Sequence, residues 1–257
     1  MKDVLPLISC VCITRDKPDL LERAIDCFLN QTYPNKQLVV LYEDIDELTK
    51  AFFKTHTYDS SVVILEVSGN PKLTIGKLRN YAISKADGEF ISQWDDDDWY
   101  HSKRLELAYR YIQQTGKDGA ILTRWMVFSC VEQQAYISNR RLWEGSVLCR
   151  KDAMLEKGYD DLIWGEDTPI IEYLHEHKKL ALIEQMPLLY VYIYHGSNSW
   201  NYDHWNEIFK ASIPLNEEDN SVMQKIIANE YTVETASALL DSICPKYKSA
   251  MPESMPL

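Results

Sequence analysis

No Cys-x-x-Cys pair and no zinc-like spacing of Cys and His occurs in the 257 residues, although there are six cysteines. That excludes a zinc ribbon or finger. It leaves Cys10, Cys12, Cys27, Cys130, Cys149 and Cys244 as reduced core thiols of a cytosolic protein. There is also no uninterrupted apolar run of about 18 residues, so no segment is expected to span a bilayer. The opening MKDVLPLISCVCITRDK has too short an apolar stretch, and charges too early, for a signal peptide. Cations are in short supply: 27 Lys and Arg against 39 Asp and Glu give a formal net charge of −12. Broad binding to a phosphate backbone needs clustered positive charge, so nucleic acid is excluded as a partner. An anionic ligand would need a metal or a local basic pair. Glycine is sparse, at 9 residues. The stretch CITRDKPD (12–19) has none, so the glycine-rich, basic loop that cradles phosphates is missing there.

What is present is a regular alternation. With 46% hydrophobic residues the chain can bury the core of one domain with lobes. LISCVCIT (7–14), QLVVLYE (37–43), SVVILEV (61–67) and EFISQW (89–94) read as buried strands. Between them 19–31, 46–55 and 74–86 carry helical periodicity, with Pro18 suited to the first turn of the first helix. This β-α-β-α-β-α-β order predicts an α/β fold with a Rossmann-like, mostly parallel central sheet covered by helices. After a helix at about 102–115 the rhythm loosens into mixed strands and one further helix, read as a second lobe packed on the same sheet. From about Pro214 the chain turns acidic and helical, and CPKYKSAMPESMPL (244–257) reads as a frayed tail.

Ligands of such sheets gather beyond the carboxyl ends of the strands. QWDDDDWYHSKRL (93–105) puts four aspartates there. Adjacent carboxylates repel, so solvent or a cation must accompany them. On an extended segment Asp95 and Asp97 share one side and Asp96 and Asp98 the other. Two convergent oxygen ligands are the minimum for Mg²⁺ or Mn²⁺ that keeps other positions for water and phosphate. The alternative is a solvated turn in which Asp98 or Ser102 caps the next helix.

A second carboxylate cluster, Gly165-Glu166-Asp167, precedes Thr168-Pro169, which reads as an N-cap followed by the first helical position. Asp167 then sits at a helix entrance, where negative charge is favoured, as a candidate general base. An ordinary acidic helix start would look the same. Downstream, YIYHGSNSWNYDHW (192–205) offers His195 as a metal ligand or phosphate contact. His175 and His177, two apart on a helix, cannot converge on one ion.

In this order the pieces resemble the inverting family 2 glycosyltransferases of the GT-A fold. The resemblance runs through ISCVCITRDKPDLLERAIDCFLNQTYPN, QLVVLYED, GKLRNYAISKADGEFISQWDDDDW, GYDDLIWGEDTPI and YHGSNSW, and covers about 200 residues. It implies transfer of a sugar from a nucleoside diphosphate sugar, a UDP-sugar first, to a hydroxyl on a glycan or lipid-linked acceptor. Residues 1–100 become the nucleotide-sugar-binding half and 101–212 the acceptor-binding and catalytic half of one domain, with 213–257 an extension. Thr14, Arg15, Asp16, Asp44, Arg79, Asp95, Asp96 and Trp94 fall on the donor side, Asp44 at the base or ribose and Arg79 at the base or diphosphate. Asp95 and Asp97 form the Asp-x-Asp pair that holds Mn²⁺ or Mg²⁺, with Asp97 the direct ligand and His195 a candidate beside it. Asp167 is the base and Glu166 orients the acceptor, against which Trp164 and Trp200 can pack. One departure is visible in Thr14-Arg15-Asp16-Lys17, where the family commonly has Thr-Tyr-Asn-Arg; the Arg15 guanidinium can stack in place of the ring. The implied location is the cytoplasm, with at most peripheral contact at the membrane.

Two rival readings are a nucleotidyltransferase or sugar-nucleotide hydrolase, and a non-catalytic binding module that kept the fold. The first usually carries the glycine-rich loop lacking here. The second is expected to lose the carboxylates that this chain retains.

Overall fold

The computed structural model describes residues 5–251. Strand β1 (Ile8–Ile13) leads into α1 (Pro18–Leu29), β2 (Lys36–Glu43), α2 (Glu47–Thr55), β3 (Val62–Val67), α3 (Ile75–Lys85) and β4 (Phe90–Gln93). β1 pairs in parallel with β2 and β4, and β2 with β3. The predicted first hundred residues are therefore found as expected. Side chains alternate across the strands, and the two faces feed different cores. Cys10, Cys12, Leu38 and Val40 pack with Leu21, Ala24 and Ile25 of α1. Val11, Val39 and Leu41 pack with Leu78, Ala82 and Ile83 of α3. All six cysteines are free, and only Cys130 is not buried.

The second hundred residues differ from the expectation of a lobe on the same sheet. The chain continues through β5 (Trp99–Tyr100), α4 (Arg104–Thr115), β6 (Gly119–Leu122), β7 (Met126–Ser129), β8 (Gln134–Ile137), β9 (Leu148–Arg150) and α5 (Lys151–Leu155). It then forms α6 (Thr168–Glu176), β10 (Leu180–Ile183), β11 (Tyr190–Tyr194), α7 (Tyr202–Lys210) and β12 (Ile213–Pro214). β6, β9 and β10 extend the first sheet to seven strands in the order β10-β6-β9-β4-β1-β2-β3, with β9 antiparallel. β12, β8, β7, β11 and β5 form a separate five-stranded sheet. The four aspartates occupy the turn between β4 and β5, so they form one of the covalent joints between the two sheets.

The acidic segment after Pro214 forms α8 (Glu217–Ile227), followed by α9 (Val233–Ile243). The tail is a correction: Cys244–Ala250 form a 3₁₀ helix, Met251 is fully buried, and Lys246 and Tyr247 both bond Asp219. Residues 252–257 of that expectation lie outside the described residues. Among the described residues no helix is long and apolar enough to cross a membrane.

Candidate functional site

A cleft of about 730 Å³ opens at the carboxyl ends of β1, β2 and β4. Its lining includes eight carboxylates and five Lys or Arg side chains. One end is formed by Thr14, Arg15, Glu43, Lys72 and Leu73, the other by Trp125, Arg141, Trp143, Glu144, Trp200 and His204, with Asp95–Asp98 and Glu166–Asp167 also lining it.

The aspartates do not lie on an extended strand. They form a turn, so the expected alternation of sides is replaced by four separate environments. Asp95 Oδ1 accepts from Arg79 Nη2 at 2.8 Å, and its Oδ2 accepts from Tyr190 Oη and Gln93 Nε2 at 3.2 Å each. Asp97 Oδ2 accepts from Lys17 Nζ at 2.8 Å and from His195 Nε2 at 3.0 Å. Burial opposes the Asp97 charge, but the bond from His195 and the nearby Lys17 ammonium hold its carboxyl well below the usual range. Asp96 is pushed up to about 7 by burial and by the Asp97 charge. Asp98 borders the cleft but its carboxylate is engaged by β11. It is fully buried, accepts from the Ile193 N–H and the Tyr190 hydroxyl, and ties the turn to β11. Nor does it cap α4, whose N-cap is Lys103 without a side-chain bond.

The turn is gripped from several sides. Arg23 Nη2 donates to the Asp97 carbonyl and the Tyr100 hydroxyl to that of Asp95. Beneath it Arg104 donates to the carbonyls of Gln93 and Gly145 and lies over the rings of Trp94, Tyr100 and Tyr190. Trp94 is thus core rather than cleft wall: its ring is fully buried and its indole N–H donates to the Ala24 carbonyl. It cannot touch a nucleotide. Trp99, also buried, is core as well.

The second cluster arrives from the other lobe. Gly165 adopts φ +68°, a conformation glycine takes without strain, and this bend sets Glu166 and Asp167 into the cleft. Asp167, not Thr168, is the N-cap of α6, and it makes no side-chain capping bond. Pro169 is still tolerated one place further in, because first-turn N–H groups have no intrahelical acceptor. The Thr168 hydroxyl donates to Glu144 Oε1 instead. The Asp167 carboxylate is left without a hydrogen-bond partner among the described residues. Burial, then the charge of Glu166, push it up to about 7, against the pull of Arg79. Glu166 is buried and accepts from Arg79 Nε at 2.9 Å.

Arg79 therefore joins the two clusters, one edge of its guanidinium on Asp95 and another on Glu166. It was expected at the nucleotide. Although it borders the cleft, it is 5% exposed and its fork is already engaged.

Two other donor-side expectations are revised. Asp44 is absent from the lining; its Oδ1 accepts from the Gly69 N–H at 2.8 Å and anchors the loop that carries Lys72 and Leu73. A Cβ at Gly69 would lie 2.7 Å from Ile45 Cγ1, so that exposed side chain would have to shift. Its neighbour Glu43 is the acid that reaches the cleft. Asp16 is also off the lining; its φ is +56° and its N–H donates to Asp46 Oδ2. Thr14 and Arg15 do line the cleft, as do Trp164 and Trp200, which are 60% and 41% exposed. His195 stands behind Asp97 rather than on the lining, with Nδ1 2.9 Å from Ser197 Oγ.

A family model described as "Glycosyl transferase family 2" matches residues 9–179, well over half of the chain. The chain belongs to glycosyl transferase family 2. Among curated relatives it is 30% identical over 116 residues to the O-antigen biosynthesis glycosyltransferase WbnJ of Escherichia coli, covering 43% of this chain and 43% of that protein. It is 27% identical over 129 residues to the uncharacterized glycosyltransferase MJ1057 of Methanocaldococcus jannaschii, covering 48% and 42%. The chain spans less than half the length of these relatives. Its fold is that of S. aureus TarS 1–349 in complex with UDP-GlcNAc, with TM-score 0.59, 14% identity, and 94% of this chain and 72% of that one covered. The mannosyltransferase PcManGT of Pyrobaculum calidifontis, solved with GDP-Man and Mn²⁺, gives TM-score 0.56 at 12% identity over 97% and 79%. The architecture is accordingly the GT-A fold.

The family 2 match ends before β10, so β11, His195, Trp200 and the α8–α9 extension lie beyond it. Whether the residues suit a divalent ion is a question of donor chemistry. Asp95 and Asp97 supply the hard oxygens that Mg²⁺ or Mn²⁺ prefers. Yet no group of three or more His, Cys, Asp or Glu among the described residues is placed to hold an ion. By donor chemistry alone the pair suits such an ion, and only with its remaining positions filled by water and phosphate oxygens.

Proposed function

We propose that this family 2 chain transfers a sugar from a nucleoside diphosphate donor to a hydroxyl acceptor with inversion, in polysaccharide or glycolipid synthesis. The observation that carries the reading is Asp167: a carboxylate without a hydrogen-bond partner among the described residues, pushed up to about 7, in one cleft with the strand-end aspartates. The solved neighbours support the donor class, since their titles name UDP-GlcNAc and GDP-Man.

In this reading the donor lies at the end lined by Thr14, Arg15, Glu43 and Lys72, with the diphosphate toward Asp95–Asp97. Residues 1–100 supply most of that end, and the second half supplies the base and the acceptor side. Asp95 and Asp97 would hold Mn²⁺ or Mg²⁺, which when bound offsets charge on the departing diphosphate. Asp167 Oδ takes the proton of the acceptor hydroxyl as that oxygen attacks the anomeric carbon. Glu166, held by Arg79, keeps the turn in register with Asp95. Trp164 and Trp200 offer exposed ring faces to the acceptor, a favourable use of aromatic surface beside a polar site.

Only the ionised base accepts a proton. We therefore expect kcat/KM to rise roughly tenfold per pH unit on the acid side and to level off above about 7. Stability runs the other way: a carboxyl raised from 3.8 to about 7 on folding stabilises the fold below its unfolded value, and that contribution is lost as pH rises through about 7. A pH–rate profile with no acid limb near 7 would remove Asp167 from the role.

The function itself is tested by incubating the protein with Mn²⁺ and a panel of nucleotide sugars, with and without hydroxyl acceptors, and measuring free nucleotide. Release that depends on acceptor is the expected result. Release without acceptor would mean a hydrolase, and binding without release a non-catalytic module.

A further inference from the structure

Among the described residues three Lys or Arg side chains touch the aspartate turn, beside His195, and they differ in how freely they can leave it. Arg79 is locked between Asp95 and Glu166, with its side chain 6% exposed. Arg23 holds the main-chain carbonyl of Asp97, not its carboxylate. Lys17 is on the carboxylate itself, with Nζ 2.8 Å from Asp97 Oδ2; its side chain is 26% exposed and it lines the cleft. Its backbone is fixed as the N-cap of α1 ahead of Pro18. Its flexible four-carbon stem can swing away without moving the backbone; His195 Nε2, 3.0 Å from the same oxygen, would stay.

We propose that Lys17 is the exchangeable counter-cation of Asp97, its ammonium occupying the carboxylate until a divalent ion displaces it. The proposal rests on the reading that Asp95 and Asp97 hold such an ion together with the donor's diphosphate.

The electrostatics favour an exchange. An ion sharing the Asp97 carboxylate with the ammonium would place like charges about 4 Å apart in a partly buried site, where repulsion reaches several kcal/mol. That repulsion favours departure of the ammonium. Without the ion, Lys17 relieves the repulsion among Asp95, Asp96 and Asp97. With the ion bound, the released ammonium is still tethered at the cleft wall, within the region where an anionic donor sits. No bond is made or broken in the exchange, and charge is redistributed among one carboxylate, one ammonium and the incoming ion.

The test uses the full chain and Mn²⁺ alone, with free Mn²⁺ read by electron paramagnetic resonance. Lys17→Met removes the competitor and keeps the stem; it should bind Mn²⁺ about tenfold more tightly than the parent. Lys17→Arg should bind like the parent, and Asp97→Asn should abolish the gain when combined with Lys17→Met. As a second readout, Mn²⁺ should raise the Tm of Lys17→Met more than that of the parent, because a ligand that prefers the native state stabilises it. If Lys17→Met does not fold by circular dichroism, Lys17→Gln replaces it in the same titration. Equal or weaker binding by the variant, or a gain that survives loss of Asp97, overturns the proposal. Neither donor nor acceptor is present, so the outcome is separate from that of the nucleotide-release panel.

Discussion

The Asp167→Asn variant should bind nucleotide as the parent does and lose transfer by about 10²–10⁴-fold, the usual contribution of a positioned general base. The substitution is close to isosteric, and the Asp167 side chain caps nothing, so the start of α6 does not depend on its charge. That separates chemistry from structure: Tm should stay at the parental value or rise above it near and above pH 7, where the buried charge is removed, and the nucleotide dissociation constant should stay near its parental value while kcat collapses. Turnover within about threefold of the parent would contradict the assigned role.

The second large effect is on stability. Arg79→Met leaves Asp95 without its cation and strands Glu166, whose side chain is 6% exposed, as a buried charge. Breaking a buried ion pair from one side costs roughly 3–5 kcal/mol. In a chain of this size that corresponds to a fall in Tm of about 10 °C or more. Thermal unfolding by circular dichroism measures it directly. Arg79→Lys should fall between the two, because one ammonium cannot reproduce a planar fork that serves two carboxylates. A Tm for Arg79→Met within about 2 °C of the parent would mean that solvent, not Arg79, satisfies both acids.

The parts of this arrangement that were legible in the sequence are those written in short-range pattern. The first four strands and three helices follow from period and from Pro18. The Asp95–Asp98 run and the Gly165-Glu166-Asp167 turn announce themselves as charge beside strand and helix boundaries. What was not legible depends on residues far apart in sequence. Nothing local distinguishes Trp94, wedged between Ala24 and Tyr100, from Trp164 on the rim; burial decides, and burial is a tertiary property. Arg79 looked like a ligand contact because its partners, Asp95 and Glu166, lie 16 and 87 residues away. Arg104 stands in the quoted 93–105 stretch with Trp94 and Tyr100, but its place over those rings and over Tyr190 of β11 is set by tertiary packing. Lys17 stood in the quoted Thr14-Arg15-Asp16-Lys17 turn, but its 80-residue reach to Asp97 is set by how α1 docks. Glu43 rather than Asp44 lines the cleft for a simpler reason: one residue at a strand end reverses the side to which a carboxylate points.

The joint between the sheets also bears on how such a chain can change over evolutionary time. The frame that carries Asp95–Asp98 is packed on every side, so substitutions within it are paid in folding. The loops that shape the cleft are held by few side-chain ties: Gly69 on Asp44, Asp161 on Thr74 and Lys77, and Asn198 on the backbone around His195. Substitutions in these loops are therefore expected to alter the rim of the cleft before they disturb the joint beneath it.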